Sequence, residues 1–496
     1  PVVHRRWFRA VRIRTQRPDY VEYHLTSNFF GLKQEILARG GPIDNDHYWY
    51  EFVSPLATAH VDGSLEGSDG NLNQTETITF RFPIILRPLL WLLKPLLLRQ
   101  KRDILECDTR LLEREYALEL SGFRRYDRTA PGIVVYGGSG FFGRLVVEEL
   151  LRNTAADILV ASRNPKYIDF GGQQVRVKFA ESDLSDYGSV LRTIDGASIA
   201  MLCGGPFQRM PLSLLRACID KKISYIDIAD DRSFVDRAHK LAAESEKAGI
   251  AAFVGCSVVP GLTSLLTQFS RAEVGDIESV DIAISPGTKH PRGPASFECL
   301  LTSAGEQFGS DSAHGWSNPR TVEFPEPMGR RTVYRVVDIA DYFVQPHYFG
   351  TQRVEFGIGS ELWILNFMFS WLAALRGKLR VPAKFLIAPS RLAVALAAPF
   401  GTSQGGVWIR VEGRLNGAHR QVEWCIWANQ KGECIPALPA AIAAAMLLAD
   451  KIPKKGIVSP DWINREQLIA ELSARGVNVA VRGNSREPWQ AEGTAA

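Results

Sequence analysis

The chain has 496 residues, of which 46% are apolar and 23% charged, so it is long enough for roughly two to four domains of about 100–200 residues and too apolar for wholesale disorder. Lys and Arg number 58 against 54 Asp and Glu, a net charge of +4, too small a surplus for a nucleic-acid partner to be expected. Cys107, Cys203, Cys218, Cys256, Cys299, Cys425 and Cys434 stand singly, with no CxxC spacing. That pattern argues against a disulfide framework or a zinc ribbon and predicts a reducing, cytoplasmic compartment. No apolar run reaches the roughly 18 residues of a membrane-spanning helix. The chain opens on Pro1 rather than Met and on no signal-peptide pattern, which predicts a processed or fragmentary N-terminus.

Residues 1–128 read as an α+β domain. Arg5, Arg6, Arg9, Arg12 and Arg14 alternate with Trp7, Phe8, Val11 and Ile13, and 75–82 (TETITFRF) alternates as a strand does. A Pro-punctuated apolar run follows at 82–98, and then 99–120 predicts a long amphipathic helix through Ile104, Leu105, Leu111, Leu112, Tyr116 and Leu118. Strands followed by a long helix suggest α+β. The stretch 124–132 (RRYDRTAPG) reads as a linker.

From 132 to 260, short apolar runs alternate with helical stretches. Strands are expected at 133–136, 158–161, 175–179, 198–202, 225–228 and 251–254. Helices are expected at 141–153, near 187–194, and at 212–221 and 234–248. This alternation is the signature of a doubly wound parallel sheet. From 261 to 435 the pattern is mixed, with strands expected at 280–285 and 406–415 and a strongly apolar helix at 362–375 (LWILNFMFSWLAAL). An Ala-rich helix is expected at 439–449 and another at 465–475. Residues 436–482 read as a C-terminal return onto the parallel-sheet domain, and 483–496 as a flexible tail.

The chemistry concentrates at 133–144 (IVVYGGSGFFGR), where a strand runs into Gly137, Gly138, Ser139, Gly140, Phe141, Phe142 and Gly143 and then into a helix. Both G-x-G-x-x-G (138, 140, 143) and G-x-x-G-x-x-G (137, 140, 143) fit. Such a turn needs a residue free to take positive φ, a backbone that a pyrophosphate can approach, and helix N–H groups facing that phosphate. A plain tight turn is the alternative, but the strand-to-helix context favours dinucleotide binding. The second strand ends in Ser162, Arg163 and Asn164, where an NAD site would carry a carboxylate for the ribose 2′-hydroxyl. Arg and Ser there suit a 2′-phosphate, so NADP(H) is expected over NAD(H). A solvated loop arginine is the bland alternative. Asp183 and Leu184 fall where adenine would lie, although a helix N-cap at Asp183 or Ser185 explains the pattern as well. Gly204, Gly205, Pro206 and Phe207 follow the fourth strand, where the backbone can pass close to the nicotinamide end.

These pieces resemble the saccharopine dehydrogenase-like (saccharopine reductase-like) family of NADP-binding oxidoreductases. The matching segments are YGGSGFFGR at 136–144, ASRNP at 161–165, SDLSD at 182–186, GGPF at 204–207 and CIDKKISYIDIADD at 218–231. They continue with GCSVVPGLTSLL at 255–266, IPALPAAIAAAMLL at 435–448 and KGIVSPDWI at 455–463. The resemblance covers about 132–481. It implies a Rossmann domain with an inserted mixed α/β substrate domain. It also implies Gly137, Ser139, Gly140, Phe141 and Phe142 near the pyrophosphate, Ser162, Arg163 and Asn164 near the 2′-phosphate, Asp183 near adenine, and 204–207 near the nicotinamide. More weakly, 1–128 is similar to a helix-grip ligand-binding module.

Catalytic residues are not fixed by the sequence. Tyr225 and Asp227 share one face of the fifth strand and are weak candidates for substrate contact or proton donation, with packing and capping the alternative. His290, beside Lys289, Pro291 and Arg292, reads either as an anion contact or as a solvated loop. Cys203 and Cys256 lack an evident activating partner. Asp44, Asp46, His47 and His60 have no diagnostic metal spacing, and no metal is expected. The overall expectation is an NADP(H)-dependent oxidoreductase moving hydride to or from a small molecule, with an apolar or lipid-like substrate slightly preferred. The alternative is a non-catalytic NADP-binding protein associated with lipid or a partner enzyme. A homodimer and peripheral membrane contact through 362–375 are further expectations.

Overall fold

The computed structural model describes residues 8–17, 20–29, 32–43, 47–53, 58–68, 71–81, 132–164, 168–170, 176–290, 304–305, 314–336, 338–379, 382, 384–453, 455–483 and 486–492. The chain divides into two compact units, Pro1–Tyr126 and Asp127–Ala496. The first holds six strands, β1 (Phe8–Arg17), β2 (Tyr20–Phe29), β3 (Leu32–Pro42), β4 (His47–Val53), β5 (Thr58–Ser68) and β6 (Asn71–Arg81), in one antiparallel meander. Arg39 and Glu51 face each other across β3 and β4 and form an ion pair, Nε to Oε2 at 2.7 Å. The apolar run at 82–98, the predicted helix at 99–120 and most of the linker lie outside the described residues, as do Asp44 and Asp46. His47 is exposed on β4, and His60 on β5 stacks on Trp49 and pairs with Asp62 at 3.2 Å.

The second unit begins with the expected alternation. Its elements are β7 (Gly132–Tyr136), α1 (Phe141–Asn153), β8 (Asp157–Ser162), β9 (Val177–Glu181), α2 (Tyr187–Ile194), β10 (Ile199–Leu202), α3 (Ser213–Lys221), β11 (Ser224–Asp227), α4 (Arg232–His239), α5 (Ala242–Ala248) and β12 (Ala251–Phe253). The strand order is β9-β8-β7-β10-β11-β12, every pair parallel. This is the Rossmann order, with the direction of winding reversing between β7 and β10. Both faces of the sheet are covered, which is why β7 and β10 read as unbroken apolar runs rather than as alternations. Where one helix is predicted at 234–248, the structure has two. The Leu241 N–H closes a tight turn on the Ala238 carbonyl at 2.9 Å, and that turn carries Leu241 into the core.

A crossing helix, α6 (Thr263–Val274), leads into the second sheet. This sheet contains β13 (Asp276–Pro286), β14 (Ser317–Glu323), β15 (Arg330–Arg335), β16 (Arg353–Ile358), β17 (Gly405–Leu415) and β18 (Ala418–Ala428). Between them the chain forms α7 (Asp341–Phe349), α8 (Trp363–Leu379) and α9 (Lys384–Ala397). After α10 (Leu438–Leu448), a two-residue strand β19 (Gly456–Ile457) pairs parallel with β12 and extends the Rossmann sheet. Then α11 (Arg465–Ser473) leads to β20 (Asn478–Arg482) and β21 (Gln490–Glu492). These last two strands join the second sheet, whose order is β14-β15-β16-β13-β17-β18-β20-β21. The region read as a return onto the Rossmann domain therefore divides between two sheets. The segment read as a flexible tail from 483 instead carries a paired edge strand, held by Arg465 to Glu492 at 2.7 Å and by Arg482 over the Trp489 ring at 4.2 Å.

The second sheet is buried on both faces. Val407, Ile409, Trp424 and Ile426 face the Rossmann core, while Trp408, Cys425 and Trp427 pack with Val322, Phe324 and Met328 on the other side. Glu423, fully buried between them, accepts from Arg482 Nε at 2.8 Å, Arg410 Nε at 2.9 Å and Trp408 Nε1 at 3.3 Å.

Candidate functional site

The carboxyl ends of β7, β8 and β10 converge at the winding reversal, and the residues of the glycine turn lie there. Gly137 takes φ of +79°. A Cβ on it would stand 2.5 Å from Gly204 of the turn after β10, so the two loops approach as only glycine permits. A Cβ on Gly143, in the first turn of α1, would strike the Gly137 carbonyl oxygen at 2.2 Å. Gly138 has neither constraint of that severity, its Cβ position meeting Val160 methyl groups at 3.1 Å and a Val135 methyl group at 3.3 Å. Of the two glycine spacings the sequence allowed, 137/140/143 is the one that holds both positions where the backbone demands glycine, 137 and 143.

Gly140 is the N-cap of α1. It has no side-chain cap and the first turn carries no acidic residue. The helix N-terminus thus presents uncapped N–H groups and the positive end of its dipole, which suits a phosphate. Phe141 and Phe142 open the helix half-buried, edge to face at 5.0 Å, and Ser139 is half-buried before them.

At the end of β8, the Ser162 carbonyl accepts from the Ser182 N–H at 3.0 Å and ties this strand to the end of β9. The Ser162 hydroxyl is buried with no hydrogen-bond partner. Arg163 and Asn164 beside it are exposed. Asp183 lies near enough to Arg163 to feel its charge, but its own Oδ1 accepts from the Ser185 N–H at 2.9 Å. Those bonds to Ser185, followed by the charge of Arg163, hold the Asp183 carboxyl below the usual carboxylate range. The cap of α2 is neither Asp183 nor Ser185 but Asp186, which accepts from the Ser189 N–H at 3.1 Å. The Leu184 carbonyl accepts from the Ser213 hydroxyl at 2.5 Å, linking this loop to α3.

In the turn after β10, Gly204 faces the glycine loop and Gly205 is exposed. Phe207 is turned inward, edge-on to Phe234 of α4 at 5.3 Å.

Beneath these loops the structure adds a polar chain that the sequence reading did not single out. The hydroxyl of Tyr136, the last residue of β7, bonds the Ser182 hydroxyl at 2.8 Å, and Ser182 in turn meets Ser189 of α2 at 3.2 Å. A tyrosine ending a fully buried strand was the signal, because a buried phenol requires a partner.

Tyr225 and Asp227 are both fully buried. Asp227 Oδ1 accepts from the Ala229 N–H at 2.9 Å and the Gly255 N–H at 2.7 Å, joining the ends of β11 and β12. Burial raises the Asp227 carboxyl to about 6, against those bonds. Burial first, and then the Asp227 charge, push the Tyr225 phenol well up. Cys203 and Cys256 flank this carboxylate, and burial raises both thiols, so neither is a ready nucleophile. His290 is buried rather than solvated. Its Nε2 lies 3.0 Å from the Ser403 carbonyl and 3.4 Å from Glu433, while Pro291 and Arg292 lie outside the described residues. Among the described residues no cluster of His, Cys, Asp or Glu suits a metal ion.

Residues 133–253 match the family model of the saccharopine dehydrogenase NADP binding domain. This segment is an NADP-binding domain of the saccharopine dehydrogenase type. The match ends at 253, so the similar segments from 255 to 463 fall beyond it. A trans-acting enoyl reductase of Mycobacterium ulcerans is 28% identical over 154 residues, 28% of this chain and 36% of that protein. A probable mitochondrial saccharopine dehydrogenase-like oxidoreductase of Arabidopsis thaliana is 27% identical over 120 residues, 21% of this chain and 26% of that protein. The matches thus span about a third and a quarter of these relatives. Among solved structures, saccharopine dehydrogenase (L-Glu forming) of Saccharomyces cerevisiae superposes over 72% of this chain and 100% of its own, at 12% identity and a TM-score of 0.48. Homospermidine synthase of Legionella pneumophila does so over 74% and 96%, at 10% identity and the same score.

The site's own chemistry fits the cofactor that this domain type takes. The glycine turn packs against the turn after β10 as closely as only glycine allows, α1 offers uncapped N–H groups, and the buried Ser162 hydroxyl lacks a partner beside Arg163. No carboxylate stands among the three residues that close β8, where one would repel a 2′-phosphate.

Proposed function

We propose that the protein is an NADP(H)-dependent oxidoreductase that moves hydride to or from a small molecule bound at the carboxyl edge of β7, β10 and β11. The carrying observation is the glycine turn opening α1 together with the unpartnered Ser162 hydroxyl beside Arg163. In this reading the N–H groups of α1 hold the pyrophosphate and Ser162, Arg163 and Asn164 hold the 2′-phosphate. Gly204 lets the cofactor pass from one loop to the other. The cofactor supplies the hydride, and the protein supplies position and exclusion of water. Tyr225 and Asp227, both buried, with Asp227 bonded to backbone N–H groups and Tyr225 to Asp227, serve this reading as residues that shape the edge.

An apolar or lipid-like substrate is the reading we favour, because the sequence offers no convincing set of paired basic residues to grip the carboxylates of an amino-acid substrate. Fluorescence titration with NADPH and NADH, on wild type and Arg163→Ala, tests the cofactor half. We expect NADPH preference in the wild type and a loss of about 1.5–3 kcal/mol in NADPH affinity in the variant, as for a hydrogen bond to a charged group, with NADH binding unchanged. Equal affinities in the wild type would remove the 2′-phosphate argument. Tight NADPH binding with no oxidation in the presence of lipid and amino-acid extracts would favour a non-catalytic NADP-binding protein.

A further inference from the structure

The outer face of α8 and α9 departs from the pattern of a surface helix. Such a helix turns a polar stripe to solvent. Here Leu365, Phe369 and Ala373 of α8 and Val394 of α9 face one buried cluster with Trp316. Trp363, Phe367 and Trp371, four residues apart, form the opposite stripe of α8, exposed to 75%, 63% and 58%. Leu392 and Leu396 on α9, and Phe400 just after it, are exposed in the same manner. The two helices are in contact and share that cluster, so their outward stripes form one apolar face.

Charge decides what suits this face. From 362 to 400 the sequence carries Arg376, Lys378, Arg380, Lys384 and Arg391 and no Asp or Glu. Lys378 stands two turns beyond Trp371 on the same exposed stripe, and Arg391 is exposed beside Leu392. A second copy meeting this face about a two-fold axis would set positive charge against positive charge. A bilayer carrying anionic headgroups complements both features, because indole and phenyl rings enter the interfacial layer while Lys and Arg reach the phosphates. Among the described residues no helix is long and apolar enough to cross a membrane, so the helices would lie in the interface.

We infer that α8 and α9 form a peripheral docking surface for anionic phospholipid bilayers, with Trp363, Phe367 and Trp371 as its apolar anchors and Lys378 and Arg391 as its headgroup contacts. The inference is independent of the cofactor site.

The test is co-flotation of the full chain with vesicles of phosphatidylcholine alone and of phosphatidylcholine mixed with phosphatidylserine. The wild type should float with the mixed vesicles and much less with the neutral ones, and salt should weaken it. The triple variant Trp363→Ser/Phe367→Ser/Trp371→Ser should lose at least about tenfold in partitioning while keeping wild-type NADPH affinity. The double variant Lys378→Glu/Arg391→Glu, which alters only exposed side chains, should lose about fivefold or more for each charge removed. Failure of the wild type to float with the mixed vesicles overturns the inference, as does flotation that the double variant leaves unchanged. A wild-type dimer in sedimentation that the triple variant converts to monomer, with no vesicle binding, would assign the face to a second copy instead.

Discussion

A carboxyl group taken fully out of water favours its neutral form, and Asp227 is such a group. Its ordinary value of 3.8 is raised to about 6 by burial. Between about pH 4 and 6 the folded chain therefore holds a proton that the unfolded chain has released. The stability contributed by the neutral acid is complete below about pH 4 and is lost as pH rises through 6, about 3 kcal/mol in all. Asp341, buried on α7 and raised to about 6 by the same cause, acts with the same sign. Asp227→Asn keeps an acceptor oxygen for the Ala229 and Gly255 N–H groups and does not ionise. We expect its gain in melting temperature over the wild type to be near zero at about pH 4 and to grow toward neutrality. A gain independent of pH would mean that the wild-type carboxyl ionises freely. The same variant separates two roles. A residue that exchanges a proton with substrate loses about 10²–10⁴ in kcat on this change, whereas one that only joins β11 to β12 keeps its turnover.

At the scale of elements, legibility followed local pattern. The Rossmann strands and helices were readable to within a few residues because each is a short apolar run or a helical period bounded by its own turn, and the glycine turn was readable because its spacing is a backbone requirement. What escaped was non-local. Strand β20 takes its place beside β18 through the buried Glu423–Arg482 pair, whose members lie 59 residues apart, and no periodicity announces such a pairing. The inward turn of Phe207 onto Phe234 and the burial of His290 against Ser403 are likewise tertiary facts. The Glu423 network gives a test of that anchoring. Arg482→Met would leave Glu423 buried with Arg410 as its remaining cationic partner, and removing one member of a buried pair costs about 3–5 kcal/mol. Denaturant unfolding should show that loss, and hydrogen exchange should show it first in β20 and β21. A cost below about 1 kcal/mol would mean that water reaches Glu423.

For the whole molecule, the division at Tyr126–Asp127 separates an antiparallel meander from a unit built on two sheets, and compact units of this kind are expected to unfold as separate bodies. The glycine turn, Ser162 and Arg163 all lie in the second unit. A ligand stabilises only the body whose native state binds it, by an amount set by its concentration relative to its dissociation constant, about 2.7 kcal/mol at a hundredfold excess. Calorimetry of the full chain should therefore resolve two transitions, and saturating NADPH should raise the midpoint of one while leaving the other in place. Cleavage fragments recovered after the first transition would assign it to 1–126 or 127–496. The transition that NADPH moves must be that of 127–496. A single transition shifted as a whole would show that the meander and the cofactor-binding unit unfold as one body, and a shift confined to the meander would remove the cofactor from the glycine turn.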